Sequence, residues 1–140
     1  MGLPTDRDAR NALPIWDGLM MYFPDVWAEV AKVSVLGNKQ HNLGEKLFWN
    51  RDVSTDHLNK VMRHCFDHGT GNIMDTDGTF HMAKAVWRAC AELQLAIERE
   101  KKVAAFIATG AASGWASGDS GIRPGDILTV AAKPFELNRE

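Results

Sequence analysis

"TFHMAKAVWRACAELQLAIER", residues 79–99, is the stretch on which the fold turns. It holds no glycine or proline and is rich in alanine, leucine and other good helix formers. Its apolar residues lie nearly all round a helical projection, which predicts a helix buried at the centre of a domain. One narrow polar stripe interrupts it: His81, Lys84, Arg88 and Glu92, at helical spacing and mostly basic. A buried cation is costly unless something pairs with it. The partners could be the acids Glu29, Asp56, Asp67, Asp75 and Asp77, or a bound anion such as a polyphosphate cradled by Lys84 and Arg88. The stripe also reads as an ordinary solvated edge.

Working outward, "DTDG" at 75–78 sets two carboxylates just before this helix, with His81 in its first turn. D-x-D-G is commonly a turn that leads into a helix cap. Carboxylates beside a histidine can also hold a divalent ion, and an oxygen-rich set suits Mg2+ or Mn2+. Upstream, residues 55–68 predict a helix that Ser54 or Thr55 can cap and Gly69 can stop. Leu58, Val61, Met62, Cys65 and Phe66 form its expected core face. Asp56, Lys60, Arg63 and Asp67 share another face, and His57 and His64 lie two turns apart on one side. A further helix is expected over 25–36, started by Pro24 and Asp25 and ended by Gly37. Val26, Val30, Val33 and Leu36 are its apolar face. Residues 38–53 have no period and read as a polar loop anchored by Phe48 and Trp49, while residues 1–12 read as loose. Downstream, "VAAFIATG" (103–110) and "DILTVAAKPF" (126–135) resemble strands on either side of a Gly/Ser-rich loop, which predicts a small C-terminal β-hairpin.

These elements make a mainly α protein: a helical domain over 1–100, and an extension over 101–140. The chain has 140 residues, 45% of them hydrophobic, enough for one domain with a core of its own. Its net charge is -2, which argues against a surface devoted to nucleic acid. No run approaches the length of a membrane span. The early residues lack a signal-peptide pattern, so a cytoplasmic location is expected, with Cys65 and Cys90 as buried thiols. Helices this apolar often need a second chain, so a homo-oligomer, dimer or tetramer, is also expected.

Four blocks carry a more specific signal: "YFPDVWAEVAKVS" (22–34), "GNKQHNLGEKLFW" (37–49), "STDHLNKVMRHCFDHGT" (54–70) and "DTDGTFHMAKAVWRACAELQLAIE" (75–98). In order and spacing they resemble a family of phage-associated dATP/dGTP diphosphohydrolases, itself similar to the MazG-type all-α NTP pyrophosphatases. The resemblance implies a helical bundle of that type. It also implies hydrolysis of a purine deoxynucleoside triphosphate to the monophosphate and pyrophosphate, with Mg2+ or Mn2+. Substrate contacts would fall to Asn38, His41, Asn42, Trp49, Arg63, Lys84 and Arg88. Catalytic roles would fall to His64, His81, Lys84 and Arg88. The candidate metal ligands come from the residues themselves: Asp56 and Asp77, each close to a histidine, with Glu29 and Glu45. One departure stands out. MazG-type enzymes gather metal with an E-x-x-E pair, but here Glu29 is followed at that spacing by Lys32. A protein that binds or sequesters a nucleotide without turnover is therefore the alternative, and a structural phage protein with the stripe at an oligomer interface is a third.

Overall fold

The computed structural model describes residues 2–42, 44 and 46–108. The chain divides into two compact units, Met1–Gln94 and Leu95–Glu140. Among the described residues there are four α-helices: α1 (Arg7–Asn11), α2 (Pro24–His41), α3 (His57–Gly69) and α4 (His81–Ala108). A π-helical turn occupies Trp16–Met20, and a 3-10 turn occupies Arg51–Val53. The all-α architecture expected from the sequence is the one observed.

Local chemistry explains the boundaries, including those that differ from expectation. Residues 7–11 are helical because the Asp6 side chain accepts a hydrogen bond from the Ala9 N–H at 2.8 Å and caps the first turn. Gly37 does not end α2. The helix runs on to His41 and closes at Asn42, whose N–H donates to the Asn38 carbonyl at 2.8 Å. An interior glycine costs only about 1 kcal/mol relative to alanine, and the extra turn sets Asn38 and Asn42 one above the other on one helix face. Asp56, rather than Ser54 or Thr55, is the residue before α3. Residues 103–108 continue α4 instead of starting a strand; alanine and the preceding glutamates and lysines favour helix there. The remainder of the expected hairpin lies outside the described residues.

Within Met1–Gln94, α4 takes most of the buried positions: His81, Ala83, Ala85 and Ala91. Small side chains there allow close approach of neighbouring elements. The Trp87 indole N–H donates to Ser34 Oγ on α2 at 2.8 Å. The His57 and His64 rings of α3 lie against Trp87 and His81. The connection into α4 is a tight turn. Gly78 N–H donates to the Asp75 carbonyl at 2.9 Å, Asp75 N–H to the Thr79 carbonyl at 2.8 Å, and Gly78 sits at φ +78°, a value glycine adopts without strain.

The face of α3 reverses the expectation. Leu58, Met62 and Phe66 are 64%, 67% and 71% exposed, whereas His57, at 1%, is the most deeply buried large side chain. Val61 and Cys65 are half-buried. The inward face is the histidine face, because Trp49 and Trp87 close around His57 and His81 receives His64. Among the described residues the buried apolar side chains are three alanines; the rest of the buried set is polar, Asn42, His57, Thr79 and His81.

Candidate active site

The helices and the polar loop enclose a cavity of about 600 Å³. Of the residues proposed from the sequence, Asn38, His41, Asn42, Trp49, Arg63, His64, Asp77, Lys84 and Arg88 all line it. Positions far apart in the chain converge because α2 extends past Gly37 and because the α3 histidine face is turned inward. His81 stands behind the wall, 3% exposed, with its Nδ1 3.0 Å from His64 Nδ1. Glu29 pairs with Lys32 at 2.5 Å. Asp56 accepts from the Asn59 amide at 2.7 Å. Neither of these two acids lines the cavity. Glu45 lies outside the described residues.

One wall is amide and aromatic. Asn42 Nδ2 donates to Asn38 Oδ1 at 3.1 Å, Asn50 Nδ2 donates to Asn42 Oδ1 at 3.4 Å, and the Phe48 N–H donates to Asn38 Oδ1 at 3.4 Å. This ladder ties the loop to α2 and fixes Trp49, whose ring meets Trp87 edge to face at 5.9 Å. His57 fills the space behind the two indoles, and neither of its ring nitrogens has a hydrogen-bond partner.

The opposite wall is cationic. Lys60, Arg63 and Arg88 all line the cavity. Among the described residues Arg88 makes no ion pair; its guanidinium lies 5.2 Å from the centre of the Trp87 ring. Burial, and then the charge of Arg63, lower its pKa. Burial and then Arg88 lower that of Lys60, against the opposing pull of Asp56. Lys60 Nζ donates to Ser54 Oγ at 2.5 Å. These cations repel one another in a partly desolvated space, and a bound anion relieves that repulsion. Lys60 was readable from the sequence as a neighbour of Arg63 on one face of α3, but nothing in the spacing showed that this face meets Arg88.

Lys84 is in a different position. Its Nζ donates to Asp75 Oδ2 at 2.6 Å and to Asp77 Oδ2 at 2.7 Å. Burial alone would lower the Lys84 pKa, but the two carboxylates outweigh it and the net shift is upward. The Lys84 hydrogen bond holds Asp75 down at about 2, and with Thr79 it also lowers Asp77. The D-x-D-G turn is thus clamped to the first turns of α4. Beside it His64, Asp75 and His81 present ligand atoms within 4.8 Å of one another. Asp77 is the aspartate expected from the sequence, but spacing cannot show which carboxylate faces the histidine pair, and it is Asp75. Burial, and then Lys84 and His81, lower the His64 pKa.

A family model described as dATP/dGTP diphosphohydrolase, N-terminal, matches residues 5–105. Neither the curated proteins nor the solved structures gave a match.

Proposed function

The chain belongs to the dATP/dGTP diphosphohydrolase family, and on that footing we propose that it hydrolyses dGTP or dATP between the α and β phosphates, giving the monophosphate and pyrophosphate. The observation that carries this reading is the cationic wall: Lys60, Arg63 and Arg88 converge on one cavity without an ion-paired carboxylate between them. A triphosphate supplies the missing negative charge. Arg88 and Arg63 would hold the phosphate oxygens and stabilise the charge that grows on the leaving pyrophosphate. Lys84, restrained by two aspartates, would sit at the same end. Trp49 would pack against the base, with Asn38, His41 and Asn42 along its edge. His64, whose pKa is lowered first by burial, would stand beside the attacking water as a neutral imidazole, with His81 behind it at 3.0 Å. A divalent ion, Mg2+ or Mn2+, would neutralise phosphate charge and lower the pKa of that water. In a phage such an enzyme would redirect the purine deoxynucleotide pool of the host cytoplasm.

One observation favours the alternative of nucleotide binding without turnover. Two of the acids named as metal ligands, Glu29 and Asp56, stand away from the cavity. Chromatographic product analysis of a panel of deoxy- and ribonucleoside triphosphates, with each metal, separates the two. Monophosphate and pyrophosphate in equal amounts from dGTP or dATP support the enzyme. Retention of intact nucleotide selects the binding protein.

We also propose that the chain works as a homo-oligomer. Leu58, Met62 and Phe66 recur at four-residue spacing along α3 and leave a continuous apolar stripe uncovered. A second copy of α3 across a two-fold axis would bury it.

A further inference from the structure

Three features lie beyond this reading: the exposed stripe of α3, the His57 imidazole boxed by Trp49 and Trp87, and the His64–Asp75–His81 cluster. The stripe serves the oligomer already proposed. The His57 box is sealed, with the ring 1% exposed and no room shown for a ligand. The third carries an inference.

We propose that His64, His81 and Asp75 form a site for one divalent transition-metal ion beside the cavity, in place of the carboxylates Asp56, Asp77, Glu29 and Glu45. His64 on α3 and His81 on α4 turn the same ring atom, Nδ1, toward each other at 3.0 Å. Two such nitrogens cannot both carry protons at that separation; they share one proton, or a cation stands between them. Two nitrogens bound to one ion at about 2.1 Å each lie about 3 Å apart in adjacent octahedral positions. The observed separation already has that value. Asp75 completes the set, with all three ligand atoms within 4.8 Å of one another.

The surroundings hold these ligands in place. His81 is 3% exposed, and its backbone N–H donates to the Ile73 carbonyl at 3.1 Å. The Asp75 carboxylate accepts from the Thr76 N–H at 2.6 Å and from Lys84 at 2.6 Å. Asp67 Oδ2 lies 3.7 Å from His81 Nδ1, a second carboxylate within reach. Lys84 works against full occupancy, since it shares Asp75 with the ion, but its second partner Asp77 lets it keep a counter-charge when Asp75 turns. Three protein ligands leave positions open for water and for a phosphate oxygen, and His64 itself lines the cavity.

Two imidazoles and one carboxylate form a borderline donor set. It favours Mn2+, Co2+ or Zn2+ over Mg2+, which prefers oxygen ligands and keeps its water. What the ion would do for a nucleotide rests on the diphosphohydrolase reading; that it binds does not.

The test uses the full chain stripped of metal and without nucleotide. Calorimetric titration with Mn2+, Co2+, Zn2+ and Mg2+ should give one site per chain, with Mg2+ at least about tenfold weaker than Mn2+. Pulsed electron paramagnetic resonance of the Mn2+ form should show coupling to imidazole nitrogen. His64→Gln and Asp75→Asn should each weaken Mn2+ by about tenfold or more, and His64→Gln should diminish the nitrogen signal; circular dichroism checks that each variant folds. Absence of nitrogen coupling in the unaltered protein overturns the proposal whatever the variants do, as does equal affinity for Mg2+. Hydrolysis of dGTP by a protein whose Mn2+ shows no nitrogen coupling would overturn the metal site and leave the enzyme reading standing. Nitrogen-ligated Mn2+ in a protein that hydrolyses no nucleotide would do the reverse.

Discussion

Arg88 and Lys84 stand one helical turn apart on the same stripe, and their surroundings give them different work. Lys84 is neutralised by Asp75 and Asp77; Arg88 faces Arg63 and makes no ion pair among the described residues. Arg88→Met is therefore expected to lower kcat/KM for dGTP by about tenfold or more, the worth of a charge-assisted hydrogen bond of roughly 1.5–3 kcal/mol. The same change should leave the melting temperature of the nucleotide-free protein unchanged or raised, because it removes a repulsion. A variant with normal kcat/KM would make the stripe structural. Acid stability follows from residue chemistry as well. The pKa of His57 is lowered, first by burial and then by Arg88 and Lys60, against Glu92 and Asp56; that of His64 is also lowered. Between the folded value and 6.5 the unfolded chain binds more protons than the folded one. Stability is thus fully present above pH 6.5 and falls as the pH drops through that value. Asp75 adds a second loss between its unfolded value of 3.8 and about 2. Urea midpoints should be lower at pH 5 than at pH 7.5, and His57→Leu should flatten the difference. An unchanged slope in that variant would remove His57 as a cause.

At the level of elements, the turn before α4 and the face of α3 matter most. Gly78 holds φ +78°, and an added Cβ there would meet no atom within 4 Å. Gly78→Ala should consequently cost only the backbone strain, about 1 kcal/mol, by chemical denaturation. A much larger loss would mean the turn carries packing as well as geometry. The turn was legible in "DTDG", and so were the existence of α2, α3 and α4, because proline, glycine and hydrophobic period are local signals. The orientation of α3 was not. The usual rule turns its apolar residues inward, yet His57 is its buried residue and His64 is half-buried. That rule assumes that the hydrophobic partner belongs to the same chain. Here Trp49 and Trp87, distant in sequence, offer His57 an aromatic box, and Leu58, Met62 and Phe66 are exposed among the described residues.

For the whole molecule, the exposed Leu58, Met62 and Phe66 stripe among the described residues is what the proposed oligomer would cover. Light scattering should give a mass of at least two chains, and Met62→Glu with Phe66→Glu should shift it toward one while the far-ultraviolet helix signal persists. A monomeric parent protein would remove the α3 stripe as an interface. No described helix is long and apolar enough to cross a membrane, so a membrane-spanning helix does not account for that exposure. The sequence by itself determined the helical class, the two-helix framework around residues 79–99, the family, and a part of the cavity wall, because each is written in local period or in a motif of fixed spacing. Only the tertiary structure decided which cations lack a counter-charge, which aspartate faces the histidine pair, and which side of α3 is inside. Those depend on distances between segments remote in the chain, such as His64 to His81 and Arg63 to Arg88, and electrostatic and packing energies follow separation in space rather than position along the sequence.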